Sequence, residues 1–334
     1  MTFDDSSLVL VTGGSGLVGS HLVDRLLALG ARVRCIVRPS SSLRWLPVPR
    51  IELMTADLAT GDGLAEALRG VSAVFHSAGV TKANSAEEYY RGNLLGTENL
   101  LRACEARGGA LPRFIHVSSL AAIGPSASGL PLSEDAEPRP LTHYGRSKLA
   151  GETAVRGSRL GPEAVIVRPP AVYGPRDTDM FKLLRAASSG WLVRIGRQES
   201  YASLIYVKDL ADALIAAASC DAAQGRTYFT GDPEPVSWTE FASIAARLAG
   251  RELRTVSVPP ALAYCVGLAG EIQSRWRGKP GIVSREKIKE AKCRYWICDT
   301  TRARKELGFT PRHTLEQGIA ESLAWYKEAG WIKA

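Results

Sequence analysis

Leu8-Val9-Leu10-Val11-Thr12-Gly13-Gly14-Ser15-Gly16-Leu17-Val18-Gly19 runs from an apolar stretch, through a glycine-rich turn, into a segment with apolar residues at helical spacing. Leu8–Val11 reads as a strand, and Leu17–Leu29 as a helix ended by Gly30. Chain reversal at Gly13 needs a residue without a side chain. Gly16 lets the backbone approach a pyrophosphate, and Gly19 lets the helix pack on the strand. The amides of Ser15, Leu17 and Val18 then open a helix N-terminus toward the phosphates. A glycine turn alone is a weak signal; strand, turn and helix in this order make it a dinucleotide site.

The alternation continues outward. Arg32–Val37, Ile51–Met54, Ala73–Phe75, Arg113–Val117 and Ala164–Arg168 read as strands. A long helix over Ala86–Arg107, stopped by Gly108-Gly109, and another over Tyr144–Arg156 fall between the later ones. Strand followed by helix predicts an α/β fold: a doubly wound parallel (Rossmann) sheet covered on both faces. The regularity falters after Pro169-Pro170. Residues 1–172 are expected to form the dinucleotide-binding domain and 173–334 mostly a smaller substrate-binding region, with about 201–225 returning to the main sheet. Helices are expected near Val207–Ser219, Ser237–Ala249 and Leu315–Glu328.

With 334 residues, 45% hydrophobic and 23% charged, the chain can bury a sizeable core without a metal or disulfide staple. The net charge of +8 is scattered, with no Lys/Arg block, so no nucleic-acid partner is expected. The surplus suits a phosphate-bearing cofactor. Cysteines 35, 104, 220, 265, 293 and 298 form no metal-ligand cluster, and Cys35 reads as a core residue. Met1–Ser7 has no signal-peptide pattern, and the apolar runs fall short of the ~20 residues of a membrane span. A cytoplasmic protein with no membrane span is expected.

The second strand ends in Arg38-Pro39-Ser40-Ser41, with no acid to grip a ribose 2′-hydroxyl. Arg38 suits a 2′-phosphate, which favours NADP(H) over NAD(H); it also reads as a solvated surface arginine. Asp57-Leu58, after the third strand, either touches the adenine edge or caps a helix.

Tyr144 and Lys148 stand at i and i+4 on one helix face. A tyrosine titrates near about pH 10, and an adjacent ammonium is expected to lower that value. The pair can therefore move a proton.

His76-Ser77-Ala78-Gly79, Asn93-x-x-Gly96-Thr97, Val117-Ser118-Ser119, Tyr144-x-x-x-Lys148 and Arg168-Pro169-Pro170-Ala171-Val172-Tyr173-Gly174-Pro175 follow the glycine turn in order. In this the chain resembles the extended short-chain dehydrogenases/reductases over nearly its whole length. The resemblance implies that Ser119, rather than Ser118, polarises the reacting oxygen, that Tyr144 is the proton donor and that Lys148 tunes it. It implies that Asn93 steadies the active-site backbone, that Ala78 and Gly79 lie along the dinucleotide and that Pro170, Ala171 and Val172 hold the nicotinamide amide. It also implies a homodimer through helices 86–107 and 143–156.

Within that family, nucleotide-sugar enzymes often carry Asn where Ala171 stands and Arg near Ala202. Both departures favour the side that interconverts secondary alcohols and ketones on lipophilic molecules, of the 3β-hydroxysteroid, dihydroflavonol or 3-ketoacyl type. A nucleotide-sugar epimerase or dehydratase is the alternative, and a non-catalytic dinucleotide sensor the third reading. Apolar Pro259–Leu268 reads as core, or as the lining of a greasy pocket. Lys82 and His143 are expected beside the small-molecule substrate.

Overall fold

In the computed structural model, which describes residues 2–107, 110, 112–277, 281 and 284–332, a seven-stranded sheet organises the chain. Six strands come first: β1 (Leu8–Thr12), β2 (Arg32–Val37), β3 (Glu52–Thr55), β4 (Ala73–His76), β5 (Arg113–Val117) and β6 (Val165–Arg168). Every neighbouring pair in the sheet is parallel. The chain builds β2 and β3 on one side of β1, then crosses to lay β4 on the other. That reversal leaves a crevice beyond the ends of β1 and β4, where such sheets bind ligands.

Alternation along each strand sends residues to opposite faces. Val9 and Val11 join Phe75, Ile115 and Val165 in one core, under α1 (Leu17–Ala28). Leu8 and Leu10 join Val74, Phe114 and Ile166 in the other. This second face is covered by α2 (Leu64–Ala67), by α4 (Gly96–Ala106), which continues the helical run begun by α3 (Ala86–Tyr90), and by α5 (His143–Gly157). The expected 86–107 helix is thus one run interrupted by a π-turn at Arg91–Leu95. Gly108-Gly109, its expected stop, lies outside the described residues.

The later half adds β7 (Ala171–Tyr173), α6 (Met180–Ser188), β8 (Trp191–Ile195), β9 (Tyr201–Ala202), β10 (Leu204–Tyr206), α7 (Val207–Ser219) and β11 (Thr227–Phe229). Then follow β12 (Val236–Ser237), α8 (Trp238–Leu248), β13 (Arg254–Val258), α9 (Pro260–Arg277), α10 (Arg285–Lys292), β14 (Tyr295–Trp296), α11 (Thr301–Leu307) and α12 (Leu315–Glu328). Within 201–225, α7 lies on the main sheet against the first core. The strand that enters the sheet is β11, just beyond that stretch, paired to β6. A third core, with Tyr173, Leu184, Phe241, Ile319 and Tyr326, joins β7, α6, α8 and α12.

The expectation for Pro259–Leu268 is corrected. Within this stretch only the small residues Ala263 and Gly267 are buried, while Leu262, Val266 and Leu268 are exposed. A Cβ on Gly267 would stand 3.0 Å from Ile288 Cγ1, so the glycine is what lets α9 lie against α10. No helix among the described residues is long and apolar enough to cross a membrane.

Candidate active site

Thr142 caps α5 by accepting from the Gly145 amide at 3.2 Å. The helix then runs very close to its neighbours. A Cβ on Gly145 would meet the Ala121 carbonyl at 2.3 Å, and one on Gly151 the Asn93 carbonyl at 2.6 Å. This approach brings Tyr144 and Lys148 to the ends of the parallel strands. Lys148 is buried, and its ammonium donates to the Val117 carbonyl at 2.7 Å. Burial lowers its pKa to about 8, opposed by Glu152.

The expected lowering of the Tyr144 pKa is overturned. Burial of the phenol is the largest influence and raises its pKa; a hydrogen bond from Ser119 and the Lys287 ammonium pull it back only in part. The sequence spacing placed Lys148 on the right face, but the ammonium is engaged by a backbone carbonyl.

Ser119 caps the short turn Leu120–Ala122 by accepting from the Ala121 amide at 3.1 Å, and keeps part of its surface open. Ser118 is buried and donates to Glu152 at 2.6 Å. Glu152 in turn binds Arg168 through two contacts, at 2.8 and 2.7 Å. This buried pair was not anticipated from the sequence, although Glu152 stands four residues past Lys148 on the same face. Burial opposes the Glu152 charge, but Arg168, Ser118 and Arg156 outweigh it and hold the pKa below the ordinary value.

Asn93 lies in the π-turn, a distortion common at functional sites. Its carboxamide accepts from the Val80 amide at 2.7 Å and donates to the Val80 carbonyl at 3.0 Å and to Ser147 at 2.8 Å. It ties the loop after β4 to α5.

The glycine turn and the loop after β4 border a cleft of about 270 Å³ that reaches Ser15, Arg38, Asp57, Leu58, Ala78 and Gly79. Gly13 has φ +70°, and a Cβ there would lie 2.7 Å from Ala78 Cα. A Cβ on Gly19 would sit 2.2 Å from the Gly13 carbonyl. At Gly16 the one neighbour is that same carbonyl at 3.2 Å; a side chain there would project into the cleft. Leu17 and Val18 begin α1 without bordering the cleft, so what they offer is backbone. The Asp57 carboxylate accepts from the Ala59 amide at 2.7 Å, so it forms a local turn while bordering the cleft. Arg38 is exposed on the rim, and its guanidinium has no partner among the described residues. Gly79 sits beside Asn93 and Lys148: a Cβ there would be 3.0 Å from Asn93 Oδ1 and 3.7 Å from Lys148 Nζ. A turn kept free of side chains, in a cleft that leads toward Lys148, fits a dinucleotide.

In front of Tyr144 and Ser119 lies a second cavity of about 500 Å³, with Pro170 and Ala171 at one edge. Leu183, Leu192, Ile195, Ala202, Trp238 and Trp296 make much of its wall. Val172 packs on the first core instead. Lys82 and His143 do not border this cavity. Lys82, ion-paired with Asp179, and His143 line a separate polar cavity of about 430 Å³, because α10 stands between. That helix supplies Lys287 and Glu290 to the Tyr144 cavity, and no sequence signal pointed to them. Among the described residues no group of His, Cys, Asp and Glu could hold a metal ion.

The profile of the NAD dependent epimerase/dehydratase family matches residues 9–231. The chain belongs to this family. Within it, the chain is an extended short-chain dehydrogenase/reductase, an oxidoreductase that uses a nicotinamide dinucleotide. It is 31% identical over 332 residues to the ceramide reductase of Caulobacter vibrioides, covering 99% of this chain and 98% of that protein. It is 28% identical to a 3-beta-hydroxysteroid dehydrogenase of Mycolicibacterium neoaurum, covering 97% and 92%. Among solved structures, MoeE5 in complex with UDP-glucose and NAD superposes with a TM-score of 0.75 at 28% identity, covering 96% of this family member and 99% of that chain.

Proposed function

We propose that this enzyme interconverts a ketone and a secondary alcohol on a lipophilic small molecule, with NADP(H) as the preferred cofactor. The observation that carries the reading is the cavity beside Tyr144, whose wall is mostly apolar, with Leu120, Leu183, Leu192, Ile195, Trp238 and Trp296 in it, and whose charged residues are Arg194, Lys287 and Glu290. Burying apolar surface at about 25 cal/mol per Å² makes such walls a site for hydrocarbon rather than sugar. Ala171 and Ala202 border this cavity and offer no side-chain hydrogen bond. The names of the ceramide and steroid relatives are in keeping with this.

Gly13, Gly16 and Gly19 with Ser15 would hold the pyrophosphate, Ala78 and Gly79 the chain of the dinucleotide, and Pro170 to Val172 the nicotinamide amide. When bound, the dinucleotide exchanges a hydride with the substrate carbon. In reduction, Ser119 donates to the oxygen where negative charge develops. Tyr144 delivers the proton. Its raised pKa keeps the phenol protonated at neutral pH, as an acid must be. The Lys287 ammonium favours the phenolate left behind, Lys148 would donate to the nicotinamide ribose, and Asn93 holds the Val80 backbone against α5. Oxidation is the reverse path. Arg38, free on the cleft rim, supports the 2′-phosphate assignment. The reading includes a homodimer through the outer faces of α4 and α5, near which Leu95 is 37% exposed; sedimentation showing a monomer would remove that part.

Arg194 favours the second reading, a nucleotide-sugar epimerase or dehydratase. It borders the same cavity, and its buried Nε has no partner among the described residues. Turnover of a panel of ketosteroids, long-chain 3-oxo compounds and UDP-sugars decides between the two. Activity confined to UDP-sugars overturns the proposal.

A further inference from the structure

Lys287 stands on the wall between two cavities of opposite character. On one side is the apolar cavity with Tyr144 and Ser119. On the other is the polar cavity of about 430 Å³, bordered by Lys82, His143, Arg285, Lys287 and Lys289, against Glu271 and Glu286. The two meet where Tyr89, of the polar cavity, lies 6.2 Å ring to ring from Tyr144. Lys287 keeps 46% of its side chain accessible because it faces both spaces. Its ammonium bonds Glu290 at 2.8 Å, and a Glu290 oxygen also accepts from Thr142 at 3.1 Å, so the ammonium is held at the junction. Lys289 has no ion-pair partner among the described residues.

Resting on the ketone-reductase reading, we infer that the substrate is an amphiphile with an anionic head: the head enters the basic cavity against Lys287, the tail fills the apolar cavity, and the ketone lies between them at Tyr144. Among the lining residues the cations Lys82, Arg285, Lys287 and Lys289 outnumber the carboxylates Glu271 and Glu286. Asp179 and Glu290 answer Lys82 and Lys287 from outside that lining, so Lys289 supplies the charge that favours an anion over a neutral polar head. The closeness of the two tyrosines requires the ketone to be near the head. A 3-oxo acid, with its carboxylate two carbons from the ketone, is the simplest compound of this class. Lys287 is a specificity residue here. Burial works against its charge, but Glu290, Tyr144 and Tyr89 outweigh it, so it stays an ammonium at neutral pH.

The test is steady-state reduction of freshly prepared 3-oxododecanoate and of its methyl ester, the same tail without the charge. The wild type is expected to show a kcat/KM about tenfold higher for the acid. Lys287→Met is expected to bring that ratio near one through the KM of the acid, and Lys287→Arg to restore it. Because the readout is a ratio, a change in Tyr144 reactivity common to both compounds cancels. Equal use of acid and ester by the wild type, or an unchanged ratio in Lys287→Met, overturns the inference while leaving the ketone-reductase reading intact. Collapse of the ratio in Arg194→Met but not in Lys287→Met puts the head at the opposite end and also overturns it. No turnover of any long-chain ketone or steroid overturns both.

Discussion

The Lys148 ammonium donates to the carbonyl of Val117 at 2.7 Å, beneath the loop that carries Ser118 and Ser119. A cation is thus stored in a buried place, and its stability cost depends on pH. Its pKa of about 8 lies below the ordinary 10.5. At neutral pH both folded and unfolded chains are protonated, and the folded state bears the cost of the buried charge. Between pH 8 and 10.5 the folded chain has lost the proton and the unfolded chain has not, so stability rises with pH in that window. Relative to Lys148→Met, the cofactor-free wild type should gain on the order of 3 kcal/mol from pH 7 to pH 10.5. Urea melts at the two pH values measure this; a constant difference would show that the ammonium is not desolvated.

Tyr144→Phe removes the proton but little packing. Turnover should fall by about 10²- to 10⁴-fold, with dinucleotide affinity close to wild type by fluorescence titration. Retained turnover would assign the proton to another group.

Arg38→Ala should weaken NADPH about 10- to 100-fold, the worth of a charge-assisted contact, and leave NADH nearly unchanged. Parallel titrations read the difference. Equal losses for both cofactors would make Arg38 a general surface charge.

Arg168 and Glu152 are both buried and bound to each other, so Arg168→Met strands a carboxylate. The expected cost is about 3–5 kcal/mol in denaturant unfolding. In the wild type, the depressed Glu152 pKa contributes stability above its ordinary pKa that is lost as pH falls through the folded value. Acid unfolding of a Glu152→Gln variant should therefore be less steep.

Gly19 and Gly16 separate folding from binding. Gly19→Ala puts a methyl 2.2 Å from the Gly13 carbonyl and should destabilise the fold by about 2–3 kcal/mol or more. Gly16→Ala meets that carbonyl at 3.2 Å and faces the cleft. It should melt near the wild type yet bind dinucleotide roughly tenfold more weakly. A melting loss as large as that of Gly19→Ala would show that Gly16 is needed for the turn itself.

Legibility in the sequence followed the range of the interaction. The strand, turn and helix at Leu8–Ala28 were readable because local periodicity and glycine freedom act over a few residues. Tyr144 and Lys148 were readable because helical spacing puts them on one face. The π-turn at Asn93 was not, because Gly92 yields to Val80, a neighbour from the β4 loop: a Cβ there would be 2.3 Å from Val80 Cγ2. Pro259–Leu268 misled for a related reason, since its apolar residues look like core until the small face of α9 is seen to carry the contact.

The order of strands and helices, the glycine turn and the placing of Tyr144 and Lys148 on one helix face were written in the chain, because each depends on residues a few positions apart. Where the Lys148 charge rests, how burial shifts the Tyr144 phenol, and that Lys287 stands between an apolar and a basic cavity were decided only by the tertiary structure. Desolvation and electrostatic coupling depend on which distant segments close over a group, and no local pattern records that.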